Sequence, residues 1–270
     1  MKRLALITVL VACGSDPHSP DAAVVVHDAA HDAGPDAPVD APVGPAVGLV
    51  EVAQGIGNGS ADTGATATFG ATAVFGPVVG TDGPCTVYGL DQNSPRFSAG
   101  AITITGTAST ITLTPTGTAP NVSYSSGAPV PNPAFTAGAT ITFTAAGGAD
   151  VGAFTATTTA PEALAGYTPP TTISRAGYTA SWTAGTATTM WVILAAFDPS
   201  SGSGNGVVCR VGDTGSFTIP ASTFAMIPAS YNNGFVGIGR ISPTTMMVGS
   251  TMVTVQATSY ITSGQVTITN

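Results

Sequence analysis

Hydrophobic and polar residues alternate with a period of two along most of residues 47–270, and helical periodicity is almost absent. The alternation is clear where Ile102 and Ile104 are interleaved with threonines, and again where Ile111 and Leu113 are. The four residues between these two segments suit a hairpin loop. Because β-branched threonine is well accommodated on the solvent face of a sheet, the pattern predicts strands with one buried face.

The same alternation predicts further strands and one short helix. A segment that is apolar on both faces, Thr189–Phe197, is expected to be a central strand. Pro220–Ile227 is the one plausible helix, with proline in its first turn. Further predicted strands contain Ile141 and Phe143 or end at Phe217 and Ile219, and the others are Gly48–Val52, Thr66–Phe75, Cys85–Leu90, Val236–Ile241, Thr251–Ala257 and Gln265–Thr269. Regular short strands with Gly/Pro turns predict an all-β, antiparallel β-sandwich body, built as one large or two packed sandwiches.

A proline-rich segment near the middle of the body suggests a boundary. It contains Pro161, Pro169 and Pro170 and divides the body into halves at 47–167 and 168–270. Just beyond it, Tyr178, Ala180 and Trp182 alternate and precede the predicted central strand. This arrangement resembles the buried-tryptophan strand of immunoglobulin-like or fibronectin-like sandwiches, which implies a β-sandwich body of that type.

The N-terminus has the features of an export signal. Lys2 and Arg3 are followed by an apolar run and then by Leu10-Val11-Ala12-Cys13. The run is too short to span a bilayer, which needs about 20 apolar residues. These four residues resemble a bacterial lipobox. The resemblance implies that residues 1–12 are a signal peptide and that Cys13 carries lipid, with Gly14 favouring the outer membrane over the inner one.

Residues 13–46 have the composition of a disordered linker. Asp-Ala recurs five times with proline close behind, and lysine, arginine and aromatic residues are missing. Such a segment buries too little apolar surface to offset its ordering entropy. At about 3.1 Å per residue it could extend on the order of 100 Å. Asp-Ala-Pro linkers after a lipobox are similar to those of myxobacterial lipoproteins. The resemblance implies an exported protein, anchored to the outer membrane or cell surface.

Charge and cysteine content narrow the classes of partner. The chain has a net charge of −8, and the body contains no basic cluster, so nucleic acid is not expected as a partner. With Cys13 assigned to lipid, Cys85 and Cys209 form an even pair in an oxidising compartment. We predict a disulfide between them; two buried free thiols are the alternative.

Several catalytic classes are excluded from the body. It contains no histidine and no lysine, which removes histidine relays, lysine bases and Schiff-base chemistry. Zinc lacks ligands if the two cysteines are bonded. We therefore expect no metal site and no cofactor. Asp198, Ser200 and Asn205 could belong to a calcium-binding loop, but a solvated Ser/Gly turn is the favoured interpretation.

One motif points to an enzyme. Asp62-Thr63-Gly64 and Asp213-Thr214-Gly215 repeat the tripeptide of pepsin-like aspartic peptidases, in which two carboxyl groups share a proton. The resemblance implies that Asp62 and Asp213 lie within hydrogen-bonding distance. In that family an apolar strand leads into each aspartate, whereas residues 59–61 here are typical of a turn. The peptidase is therefore an alternative.

The leading hypothesis is a non-catalytic, lipid-anchored envelope or surface protein that displays a β-sandwich for binding or structural contact. Its expected partners are the membrane, through Cys13, and a glycan or an envelope protein. A carbohydrate-binding module is the second alternative. It would need exposed aromatic rings, for which the candidates are Tyr88, Tyr124, Tyr167 and Tyr231.

Overall fold

The computed structural model describes residues 46–70, 76–90, 94–187 and 189–270, and this part of the chain is almost entirely β. The strands form a twelve-stranded sheet A and a five-stranded sheet B. The strands of sheet A are β1 (Val47–Gly57), β2 (Ser60–Gly70), β3 (Val78–Asp82), β4 (Cys85–Gly89), β10 (Thr172–Ser174), β11 (Gly177–Ser181), β12 (Thr189–Phe197), β13 (Gly204–Val211), β14 (Ser216–Pro220), β15 (Asn233–Val248), β16 (Thr251–Thr262) and β17 (Val266–Thr269). The strands of sheet B are β5 (Ile102–Thr105), β6 (Ile111–Thr116), β7 (Ser123–Ser126), β8 (Thr140–Ala145) and β9 (Phe154–Thr159).

Nine strands of sheet A follow the order β14-β11-β10-β17-β15-β12-β13-β4-β3. The other three form a branch from β15, in which β16 pairs with β15, β1 pairs with β16, and β2 pairs with β1. Most neighbours are antiparallel, as predicted. Two pairs are parallel: β1 with β16, and β10 with β17. The first strand of the body therefore lies between β2 and a strand close to the C-terminus. Sheet B has the order β7-β6-β5-β8-β9 and is antiparallel throughout.

The β15–β16 ribbon joins two hydrophobic cores. The alternation predicts a strand only as far as Ile241, but β15 continues through Pro243 to Val248. Its pairing with β12 stops at Ile241, so beyond that residue β16 is the one described strand that forms a backbone ladder with β15. A proline is tolerated there because one side of an edge strand needs no backbone donor.

Sheet B packs face to face on β1, β2 and β16, which forms a β-sandwich. Ile102, Ile104 and Phe143 from sheet B are fully buried against Val50 and Val255 from sheet A. The predicted inward direction of the isoleucines and the outward direction of the threonines are both confirmed. The all-β sandwich class is thus confirmed.

The second core lies among β12, β13, the first half of β15 and the strands β10, β11, β14 and β17. The one helix, α1 (Ala221–Ala225), covers one end of it and is shorter than predicted. Asp82 accepts hydrogen bonds from the hydroxyls of Ser222 and Thr223 in the first turn of α1. These contacts attach the helix to β3.

Sheet A takes strands from both predicted halves. β3 and β4 come from residues before 168, yet they extend the sheet beyond β13, and β16 lies between β15 and β1. The predicted division at residues 167 and 168 therefore falls within one continuous sheet and stays a prediction. The predicted face of residues 71–75 and the predicted linker up to residue 45 lie outside the described residues.

Candidate functional site

A disulfide joins Cys85 on β4 to Cys209 on β13. The two residues are directly opposite in the antiparallel pair, both are fully buried, and 124 residues separate them in sequence. The predicted pairing is confirmed. The bond fixes the short β3–β4 hairpin to the centre of sheet A.

Cys13, the predicted lipid carrier, lies outside the described residues, so its modification stays a prediction. The described chain starts at Ala46, whose carbonyl accepts a hydrogen bond from the backbone N–H of Met252. Within the described ranges, no helix is long and apolar enough to cross a membrane.

Asp213 is part of a buried ion pair. Its Oδ2 accepts from Arg240 Nε at 2.8 Å and its Oδ1 accepts from Trp182 Nε1 at 2.7 Å, while the Asp213 and Arg240 side chains are 1% and 3% exposed. The two terminal nitrogens of Arg240 donate to the carbonyls of Ala163 and Thr183. Burial raises the pKa of Asp213, but the donors outweigh this effect and hold the pKa below its usual value.

Asp62 lies on the opposite face of sheet A. In register, Asp62 is opposite Gly55, Gly55 is opposite Tyr260, and Tyr260 is opposite Gly239, so these positions share one face. Arg240, the next residue along β15, points to the other face and binds Asp213 there. The sheet separates the two carboxyl groups, and in this arrangement they cannot share a proton.

The turn before Asp62 is shorter than predicted. Asn58 and Gly59 form it with positive φ angles of 49° and 77°, and Ser60 already begins β2. The interpretation of residues 59–61 as a turn is therefore wrong for Ser60 and Ala61. Asparagine and glycine tolerate the left-handed backbone that this tight connection requires.

A buried carboxyl group lies on the same face as Asp62. Glu51 is 4% exposed and accepts hydrogen bonds from Gln256 Nε2 at 2.8 Å and from the Thr258 hydroxyl. Burial raises the pKa of Glu51, and these two donors only partly offset the effect. The sequence analysis missed this residue, although a lone acid within the apolar run of β1 was a signal that could have identified it.

Three further buried polar atoms lie on this face. Trp191 Nε1, Gln256 Oε1 and the Tyr260 hydroxyl have no hydrogen-bond partner in the part of the chain that the structure describes. Burial raises the pKa of Tyr260, and Asp62 and Glu51 raise it further. The sequence analysis identified none of these three atoms, since their positions depend on cross-strand register.

The four tyrosines proposed as a glycan platform have structural contacts. Tyr88 and Tyr167 are buried, and Tyr167 shares a 2.8 Å hydrogen bond with the Tyr178 hydroxyl. The hydroxyl of half-buried Tyr124 accepts from a backbone N–H in the first sandwich. Tyr231 is half-buried against the second core. The structure does not bring the four rings together on one surface.

The three residues considered as calcium ligands have other contacts. Asp198 accepts from the backbone N–H and the hydroxyl of Ser200, which makes a local turn. Asn205 is buried and donates to the carbonyl of Tyr88. Among the described residues, no group of three or more histidine, cysteine, aspartate or glutamate side chains could hold a metal ion.

A cleft of about 600 Å³ lies beside α1. Arg175 lines it, and its guanidinium donates to the carbonyls of Ile227, Pro228 and Tyr231 at 2.8 to 3.0 Å. These bonds satisfy the carbonyls beyond the end of the helix. Burial lowers the pKa of Arg175. The guanidinium of Arg175 thus holds the segment that follows α1 in place.

Comparison with known proteins identifies no relative. No protein-family model, no curated protein and no solved structure matches the chain.

Proposed function

We propose that this chain is a non-catalytic, lipid-anchored protein of the outer membrane or cell surface that displays its β-sandwich body on a spacer. The disulfide between Cys85 and Cys209 carries the proposal, because stable disulfides form mainly in exported proteins. The lipobox-like residues Leu10-Val11-Ala12-Cys13 supply the anchor, and residues 13–46 supply the spacer.

The acidic groups of the body support a non-catalytic function. Asp213 is committed to Arg240 and Trp182, and Glu51 is enclosed with Gln256 and Thr258. Such groups stabilise the fold and leave the outer surface of the body for contact with a glycan or an envelope protein.

The test is metabolic labelling with an alkyne fatty acid in a bacterial host, followed by membrane fractionation. We expect the intact chain to be labelled and recovered with the outer membrane, because several acyl chains on one residue give stable anchoring. Cys13→Ala should be unlabelled and soluble.

The matched control is the double variant Cys85→Ala/Cys209→Ala. It removes the disulfide but keeps Cys13, so its label should persist. A wild-type chain without label, or a Cys13→Ala variant that still carries it, would contradict the anchor.

A further inference from the structure

The outer face of sheet B carries only hydroxyl side chains. On β5, β6, β8 and β9, every residue whose side chain points away from the core is a threonine, and the two outward residues of β7 are serines. The inward residues of the same strands are mainly isoleucine, leucine, phenylalanine and alanine. The outer face therefore has no charged and no aromatic side chain.

These threonines are in register across the sheet. Thr112, Thr103, Thr144 and Thr155 are opposite one another on four adjacent strands and form one continuous row. At a strand spacing of about 4.8 Å, this row is a regular line of hydroxyl and methyl groups.

A second row runs parallel to the first. Thr105, Thr142 and Thr157 are opposite one another on β5, β8 and β9, and Thr140 and Thr159 begin a third row. Rows two residues apart along a strand are about 6.8 Å apart. The face is thus a two-dimensional lattice, repeated in both directions.

The threonine side chains of the lattice are held in fixed positions, and several of their hydroxyls are free to bind water. Threonine has a restricted χ1 angle, and the sheet behind it rests on fully buried Ile102 and Phe143. Within the described ranges, the hydroxyls of Thr103, Thr105 and Thr142 make no hydrogen bond to protein. They are therefore available to water in a repeating arrangement.

The chemistry of the face selects among partners. Without charge it cannot attract nucleic acid or anionic lipid, and without aromatic rings it cannot stack on sugars. Its alternating methyl and hydroxyl groups suit a neutral partner that repeats with similar spacings. The geometry points to the ordered water of an ice surface, and we propose that the outer face of sheet B binds ice through its threonine rows.

The test uses the full chain with Cys13→Ala, which removes the predicted lipid and leaves the face intact. We expect it to shape ice crystals, to lower the freezing point below the melting point and to inhibit recrystallisation. Thr144→Tyr, in the middle of the four-threonine row, should need an about tenfold higher concentration for the same inhibition, as expected for the loss of one or two contacts. Tyrosine has a high β propensity, but its larger side chain projects beyond the threonine rows.

Thr179→Tyr on β11 is the matched control. Both threonines are exposed and both have a cross-strand hydroxyl partner: the Thr155 hydroxyl donates to the Thr144 hydroxyl at 3.5 Å, and the hydroxyls of Thr179 and Thr218 are 2.8 Å apart. It should keep full activity. Thermal unfolding of all variants verifies folding, and Thr144→Ser serves if Thr144→Tyr does not fold. Thr144→Ser keeps the hydroxyl, loses the fixed rotamer and should show a smaller loss.

Three results would overturn the proposal. Ice crystals could grow unshaped with the parent chain, the Thr144 variants could match the control, or both tyrosine variants could lose activity equally. Adsorption of the parent chain to cellulose or chitin particles with none to ice would assign the lattice to a crystalline glycan. A dimer that Thr144→Tyr abolishes would assign it to a second copy of this chain.

Discussion

Sheets A and B place their polar side chains in opposite ways. Sheet A encloses an ion pair, a glutamate and unpartnered polar atoms, and it carries the disulfide. Sheet B has an apolar inner face and an outer face of threonine and serine. In sheet A, polarity is thus tied to stability, because removing the partner of a buried polar group costs free energy. In sheet B, the polar residues lie on the outer face, so they can be substituted without changing the packing of the core.

Removal of the disulfide should have the largest effect. Cys85→Ala/Cys209→Ala opens a closed loop of 124 residues, and the loop-entropy model gives a loss of about 4–5 kcal/mol in the free energy of unfolding. Urea denaturation measures it. Hydrogen exchange should show the first loss of protection in β4 and β13, with the amides of β5 and β8 still protected. An equal loss of hydrogen-exchange protection in both sheets would contradict the proposed difference between sheets A and B.

Breaking the ion pair between Asp213 and Arg240 should cause the second-largest loss of stability. Asp213→Ala leaves the Arg240 charge buried without its carboxylate, which costs about 3–5 kcal/mol in the free energy of unfolding. The control is Asp150→Ala near sheet B, where an exposed carboxylate accepts from the Ser98 N–H at 2.9 Å. That change should cost about 1 kcal/mol at most. Equal losses in the two variants would contradict the comparison.

The pH dependence linked to Glu51 is the smallest expected effect. The folded pKa of Glu51 is raised, so its contribution to stability is complete below the unfolded pKa. It is lost as the pH rises through the folded pKa, by at most about 1.4 kcal/mol per pH unit. Glu51→Gln should flatten this fall in urea titrations at a series of pH values.

Glu162→Gln is the control for Glu51→Gln, because Glu162 is exposed. Among the described residues, its carboxylate accepts a hydrogen bond from the Thr186 hydroxyl. Its variant should retain the wild-type profile. A Glu51→Gln profile that also matches wild type would assign the pH dependence to other groups.

Local alternation was enough to predict the class of fold. The hairpin of Ile104 and Ile111, the central strand at Thr189–Phe197 and the cysteine pair all depend on short patterns or on counting, and the structure confirms them. Long-range register could not be predicted in this way. The parallel pairing of β1 with β16 joins residues about 200 positions apart, and no local pattern specifies it.

The candidate site shows the same limit. The tripeptides around Asp62 and Asp213 are identical in sequence, yet one aspartate lies on a strand beside Tyr260 and the other binds Arg240. Which face of the sheet each one occupies depends on pairings with distant strands. The threonine lattice, by contrast, follows from simple alternation once the order of β6, β5, β8 and β9 is known.

The position of β1 has a mechanical consequence. A pull applied at residue 46 along the axis of β1 acts on a strand that is bonded over eleven residues to β2 on one side and to β16 on the other. Because the force runs parallel to the strand, the two ladders are sheared and their bonds share the load, instead of opening one after another. Both ladders of β1 would therefore have to break together before this strand could leave the sheet.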